Sequence, residues 1–150
     1  MYLKDRLAED MKQAMKDREA GKTRLSVIRM VRANIKNVEI DQKKELSESE
    51  VLDVLSKEVK MRRDAIEEFQ KGNRQDLVDN LEQEVAVLMQ YLPQQLNEAE
   101  VRAVVTETIA ETNAASPKDM GKVMSALMPK IKGRADGKLV NSIVRELLNQ

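Results

Sequence analysis

"LSESEVLDVLSKEVKMRRDAIEEFQKG", residues 46–72, carries the pattern that decides the fold. Ser47 followed three residues later by Glu50 is a capping-box spacing, in which the serine oxygen and the glutamate carboxylate each accept from the other's backbone N–H. Val51, Leu55, Val59, Ile66 and Phe69 then return at steps of three, four or seven residues, which places them on one face of a helix. The spacing predicts a helix that opens at Ser47 and closes near Gly72.

The same period runs outward in both directions. Upstream, Leu3, Leu7, Met11, Ala14 and Met15 mark a helix within residues 2–19 that Gly21 ends, and Leu25, Ile28, Val31, Ile35 and Val38 mark another from about Thr23 to Lys44. Downstream, Leu77, Leu81, Val85, Leu88 and Leu92 give a fourth, stopped by Pro93. "PQQLN", residues 93–97, reads as a boundary.

Past that boundary Asn97 and Glu100 repeat the capping spacing ahead of Val101, Val104, Val105 and Ile109. Ser116 suits an N-cap and Pro117 the first helical position, opening a helix on Met120, Val123, Met124, Leu127 and Ile131. Pro129 predicts a kink or restart within it, because proline removes the bond to the Ser125 carbonyl. Gly133 is the expected stop, and Asp136 the N-cap of a last helix through Leu139, Val140, Ile143, Val144, Leu147 and Leu148. No stretch alternates with period two for long enough to make a strand. The reading is all-α, with an N-terminal four-helix part over residues 1–92 and a small C-terminal three-helix domain over 93–150.

Composition narrows the chemistry. The chain has neither cysteine nor histidine. That removes disulfides, thiolate and imidazole metal sites, and every nucleophilic arrangement that uses a histidine base. No catalytic residue, metal site or cofactor is expected. "MYLKDRLAED" lacks the apolar core of a signal peptide, and no segment approaches the ~20 apolar residues that span a bilayer. With no membrane partner in view, the expectation is a cytoplasmic protein. The 26 basic residues balance the 26 acidic ones, so an anionic partner would have to be met by local clustering.

Such clustering occurs in "DMGKVMSALMPKIKGRADGKLV", residues 119–140, which holds three of the five glycines. From Lys118 to Lys138 the net charge is +4. Lys118, Gly121, Lys122 and Ser125 fall on the face opposite the apolar stripe, where a residue without a side chain admits another backbone or a phosphate. "KIKGRADGK" reads as a helix-turn-helix corner in which Lys130, Lys132, Arg134 and Lys138 approach a helix N-terminus. Together these groups form a candidate site for RNA phosphates: Lys118, Gly121, Lys122, Lys130, Lys132, Gly133, Arg134 and Lys138. The alternative is a solvated face whose lysines complement a helix dipole.

The run "DMGKVMSALMPKIKGRADGKLVNSIVRELL", preceded by "YLPQQLNEAEV" and by the stretch from Leu46 to Val85, closely resembles the GatB/YqeY family, and within it the stand-alone YqeY-like members. The likeness covers essentially the whole chain. Asp119, Met120, Gly121, Lys122 and Val123, followed by Gly133, Arg134, Ala135, Asp136 and Gly137, are its most specific part. The family shares its helical region with the tail of the B subunit of tRNA-dependent amidotransferases, so the resemblance implies contact with tRNA or other structured RNA. Membership also carries the label of a carbon–nitrogen ligase with glutamine as amido-N-donor. The chemistry of that enzyme belongs to a separate cradle domain with no counterpart here, so a non-catalytic accessory protein is implied.

Three further patterns stand apart from this one. Arg29, Arg32, Lys36 and Lys43 share a narrow arc of the second helix and form a possible second basic face, although Glu39 lies in the same arc and pairs with Lys43 in the bland reading. Asp64, Glu67 and Glu68 imitate a carboxylate cluster, but "KMRRD" beside them suggests an ion-paired surface. Met128 is the apolar residue best placed to meet a partner. A protein–protein interaction adaptor, with a translation-related protein as its partner, is therefore the competing class.

Overall fold

The computed structural model describes all 150 residues. It is all-helical, about 80% helix with no strand. The helices are α1 (Leu3–Lys16), α2 (Lys22–Gln42), α3 (Glu48–Lys71), α4 (Gln75–Met89), α5 (Glu98–Thr112), α6 (Met120–Ile131) and α7 (Gly137–Leu148). Short 3-10 turns at Arg18–Gly21 and Pro117–Asp119 lead into α2 and α6. By contacts the chain packs as two compact units, Met1–Leu92 and Pro93–Gln150.

The core of the first unit gathers Leu7, Val27, Ile28, Val31, Val51, Leu55, Leu88 and Tyr91. The capping box at α3 forms as its spacing requires: the Glu50 N–H donates to Ser47 Oγ at 3.2 Å, and the Ser47 N–H to Glu50 Oε1 at 3.1 Å. A second carboxylate of the same turn reaches across, since Glu48 accepts from the Leu3 N–H at 3.0 Å and fixes the start of α1. Two stripes are broader or shifted from expectation. Val27 is fully buried beside the expected line because α2 is covered by α1, α3 and α4 at once. In α4 the buried phase runs through Val78 and Val87, leaving Leu77 and Leu81 half-buried. Met15, expected in the stripe of α1, is 51% exposed.

Gly21 does more than end a helix. A Cβ there would lie 2.2 Å from the Ala14 carbonyl oxygen, so α2 starts directly against the backbone of α1. α1 has already closed at Lys16, and Arg18, with φ 49°, turns the chain back. Asp17 holds that turn by accepting from Gln13 Nε2 and the Arg24 guanidinium.

"KMRRD" is only partly a solvated face. Lys60 and Asp64 do pair at the surface, 3.2 Å apart. Arg62, in contrast, is buried, donating to Glu58 Oε2 at 2.6 Å and to Glu84 Oε1 at 3.1 Å, while Glu58 Oε1 accepts from Asn34 Nδ2 at 2.5 Å. A charged network thus joins α2, α3 and α4 within an otherwise apolar interior. Buried charge survives only when its partners replace water, and each end of Arg62 has one.

The second unit packs Val101, Val105, Val123, Leu127, Ile131, Val140, Ile143, Val144 and Leu148. Asn97 caps α5 by accepting from the Glu100 N–H at 2.8 Å. Ser116 and Pro117 open the 3-10 turn ahead of α6, so α6 itself begins at Met120. The restart expected at Pro129 does not occur: α6 continues through it to Ile131. Proline there forfeits only the bond to Ser125, an exposed residue whose carbonyl can turn to water, and the helix ends two residues later.

Candidate nucleic-acid interface

The eight residues of the basic candidate site fall at both ends of α6. α6 divides them. Lys118, Gly121 and Lys122 lie at its start, whereas Lys132, Gly133 and Arg134 follow its end, about 15 Å further along the axis at 1.5 Å per residue.

At the start of α6, Lys118, Gly121 and Lys122 are all exposed, and neither lysine enters an ion pair. A Cβ built on Gly121 meets nothing within 4 Å, so no protein backbone occupies the approach that this glycine leaves open. The neighbouring Asp119 is turned inward and accepts from the N–H groups of Ala115 at 2.8 Å and Ser116 at 3.3 Å. Those backbone donors, Ala115 first, and the nearby charge of Lys122 hold its carboxyl below the usual range. Asp119 therefore stays ionised at neutral pH and serves the turn.

At the other end the corner is used internally. Gly133 takes the left-handed conformation, φ 72°, as expected of a helix stop. Its carbonyl accepts from Gln95 Nε2 at 2.6 Å, the Arg134 carbonyl accepts from the Leu96 N–H at 2.8 Å, and the Arg134 Nε donates to the Gln94 carbonyl at 3.3 Å. Segment Gln94–Leu96 is thereby laced to the corner. Lys130 reaches back to α5, where its ammonium sits 2.7 Å from Glu111 Oε2 and 3.1 Å from Thr108 Oγ1. That ammonium is the chief reason the Glu111 carboxyl lies below its ordinary range. The α7 N-terminus already has an anion on it, since Asp136 accepts from the Lys138 N–H at 3.1 Å. Lys138 itself is exposed, while Lys132 and Arg134 are half-buried.

The sequence reading missed the partners that shape this end: Gln94, Gln95, Thr108 and Glu111. Only Thr108 left a signal, as a polar residue within the apolar period of α5, where it is fully buried.

On α2, Arg29, Arg32 and Lys36 are exposed along one face, and Lys43 terminates the helix in the left-handed region, φ 54°. Glu39 does not pair with Lys43. It accepts from Lys4 at 2.5 Å and from the Leu46 N–H at 2.8 Å, and those two donors, Lys4 first, depress its pKa. The carboxylates at the end of α3 are dispersed into pairs such as Glu68 with Lys71, 3.6 Å apart. No group of three acidic side chains is placed to hold a metal ion.

Comparison with known proteins supplies the lineage. A protein of Lachancea thermotolerans named "Altered inheritance of mitochondria protein 41, mitochondrial" is 36% identical over 148 residues, covering 93% of this chain and 78% of the relative. Its namesake in Pyrenophora tritici-repentis is 31% identical over 146 residues, 95% of this chain and 79% of the relative. That of Kluyveromyces lactis is 37% identical over 115 residues, 74% and 60% respectively. These names overturn the expectation of a cytoplasmic protein, because the relatives are designated mitochondrial. No helix is long and apolar enough to cross a membrane. The family profile described as "Yqey-like protein" matches residues 4–148, and the chain belongs to that family.

Proposed function

We propose that the chain is a non-catalytic helical accessory protein whose C-terminal unit binds structured RNA, with tRNA the favoured partner, by its backbone and shape. The observation that carries this reading is the exposed pair Lys118 and Lys122 beside the open backbone of Gly121. Lys118 stands in the 3-10 turn and Lys122 in the first turn of α6, where one phosphate could be met by both ammonium groups. Lys138, Lys132 and Arg134 would extend contact along the backbone of a longer nucleic acid, with Gly133 setting their turn. Lys130 would first have to leave Glu111. In this reading residues 1–92 and 93–150 behave as a four-helix and a three-helix domain, and the ligase label carried by the amidotransferase resemblance does not extend to chemistry on this chain.

Binding of purified protein to tRNA at several salt concentrations, beside unstructured RNA of equal length, tests the proposal. Affinity should prefer tRNA and fall with a log–log slope of roughly −0.7 to −0.9 per phosphate neutralised. Lys118→Gln with Lys122→Gln should flatten that slope, and an unchanged slope rejects the site.

One observation favours an adaptor: Met128 is 48% exposed next to the exposed Pro129. A protein partner seated there would be lost on Met128→Glu, would tolerate the lysine changes and would depend little on salt.

A further inference from the structure

We infer that Met30 is a site of oxidative modification: a hydroperoxide converts its thioether to a sulfoxide, and the buried guanidinium of Arg62 then holds the new oxygen, tightening the junction of α2, α3 and α4. Two properties meet at this residue. The Met30 side chain is 45% exposed on α2, so an oxidant reaches it from solvent. Its sulfur also faces the charged network of the interior, where it accepts from Arg62 Nη2 at 3.2 Å.

Arg62 supplies the reason for the sulfoxide to stay. Its Nε donates to Glu84 and its Nη1 to the carboxylate and the carbonyl of Glu58, all oxygen acceptors, whereas Nη2 is given to a thioether. A thioether is a weak acceptor, and a residue only 6% exposed has little water to replace it. Oxidation corrects that mismatch, because a sulfoxide carries a polar oxygen. In the reaction a lone pair of the sulfur attacks one oxygen of hydrogen peroxide, and the S–O bond forms as the O–O bond breaks. The transferred oxygen gives its proton to the departing hydroxide, which leaves as water; sulfur loses two electrons and the peroxide gains them. Met30 is unbranched and flexible, so rotation about its Cγ–Sδ bond can turn the oxygen to Nη2. A sulfoxide reductase restores the thioether, and must first draw the oxygen away from Arg62.

The other arginine–methionine contacts lack this combination. Arg32 donates to Met11 Sδ at 3.1 Å, but it is exposed and water can serve its N–H groups. Arg63 is half-buried, and its contact with Met89 Sδ is long, 3.7 Å. Met15 and Met61 are more exposed than Met30, and their sulfoxides would be met by water. The inference goes beyond the RNA reading and does not depend on it.

The test treats the full chain with graded hydrogen peroxide, follows each methionine by peptide mass spectrometry, and compares urea unfolding of the wild-type protein with Met30→Leu, which has no sulfur to oxidise at this position. Met30 should be converted at doses that convert Met15 and Met61. Oxidation should then lower the unfolding constant of wild type relative to Met30→Leu about tenfold, the effect of one hydrogen bond to a charged group. Losses from the remaining methionines fall on both chains alike and cancel in that ratio. Met30→Gln, whose side-chain carbonyl stands in for the sulfoxide without oxidant, should unfold less readily than Met30→Leu, and should lose the advantage when Arg62→Leu and Glu58→Leu remove the donor and its partner. A Met30 that stays a thioether while Met15 and Met61 are converted, a ratio that oxidation leaves unchanged or raises, or a glutamine advantage that persists without Arg62 overturns the inference.

Discussion

Gly21 and Ala14 meet backbone to backbone: the place a Cβ would take on Gly21 is 2.2 Å from the Ala14 carbonyl oxygen, and Ala14 is itself fully buried. No side-chain rotation relieves such a contact, since both partners are main chain. Gly21→Ala should therefore push α1 from α2 and destabilise the protein by about 2–4 kcal/mol, beyond the cost of ordinary overpacking. Chemical denaturation of the variant measures it, and a loss under about 1 kcal/mol would show that the corner yields easily.

Glycines elsewhere should behave differently. Gly133 needs its left-handed φ, so Gly133→Ala should cost about 1–2 kcal/mol. Gly121 lies within α6 with open space above it, so Gly121→Ala should raise stability by roughly 0.5–1 kcal/mol. If a phosphate approaches that bare backbone, the same change lowers RNA affinity. Thermal melts and binding curves on one sample separate the two effects, and a gain in stability without loss of affinity would free Gly121 from the interface.

Arg62 neutralises two carboxylates, one of them deep in the core. Arg62→Leu should cost about 3–5 kcal/mol, because Glu58 would be left buried beside only the amide of Asn34. Glu58→Leu added to it should restore much of the loss, since an apolar pair needs no compensating charge. A double-mutant cycle reads the coupling; additive losses would mean that the two side chains act independently.

Acid sensitivity has a local source at the start of α3. The Glu50 carboxyl is drawn down to about 2 by the Lys44 ammonium, 2.9 Å away, and by the N–H and hydroxyl of Ser47. A carboxyl whose folded pKa is depressed contributes stability above its unfolded value, 4.5, and that contribution disappears as pH falls towards 2. Glu50→Gln should accordingly be less stable than the parent at pH 7 and converge on it near pH 2. Urea midpoints across that window test this, and a constant gap would assign the effect to the cap's hydrogen bonds instead.

Regular features were legible in the sequence because they repeat or sit next to one another. The caps at Ser47, Asn97 and Asp136 are decided within three residues, and helical faces announce themselves by period. What escaped was set by separation. Nothing near Arg62 tells that Glu84, 22 residues on, will receive it, nor that Lys130 will turn to α5. The basic run reads as one stretch of sequence, while α6 sets Lys118 and Lys122 a helix length from Lys132 and Arg134. Of the kink or restart read from Pro129, the restart is absent because the bond that proline deletes belongs to the last turn of α6.

The buried charges of the first unit also act on arrangements that the chain does not adopt. Leucines and valines repeat along α2, α3 and α4, and a slip of one helical turn would bring similar apolar surfaces together at little loss. The same slip would carry Arg62 away from Glu84 and Glu58 away from Asn34, leaving the charged pair of α3 buried without its partners on the neighbouring helices. Their value therefore lies in proofreading: apolar residues make the helices adhere, and three ionised groups and an amide make one alignment distinguishable from its near copies.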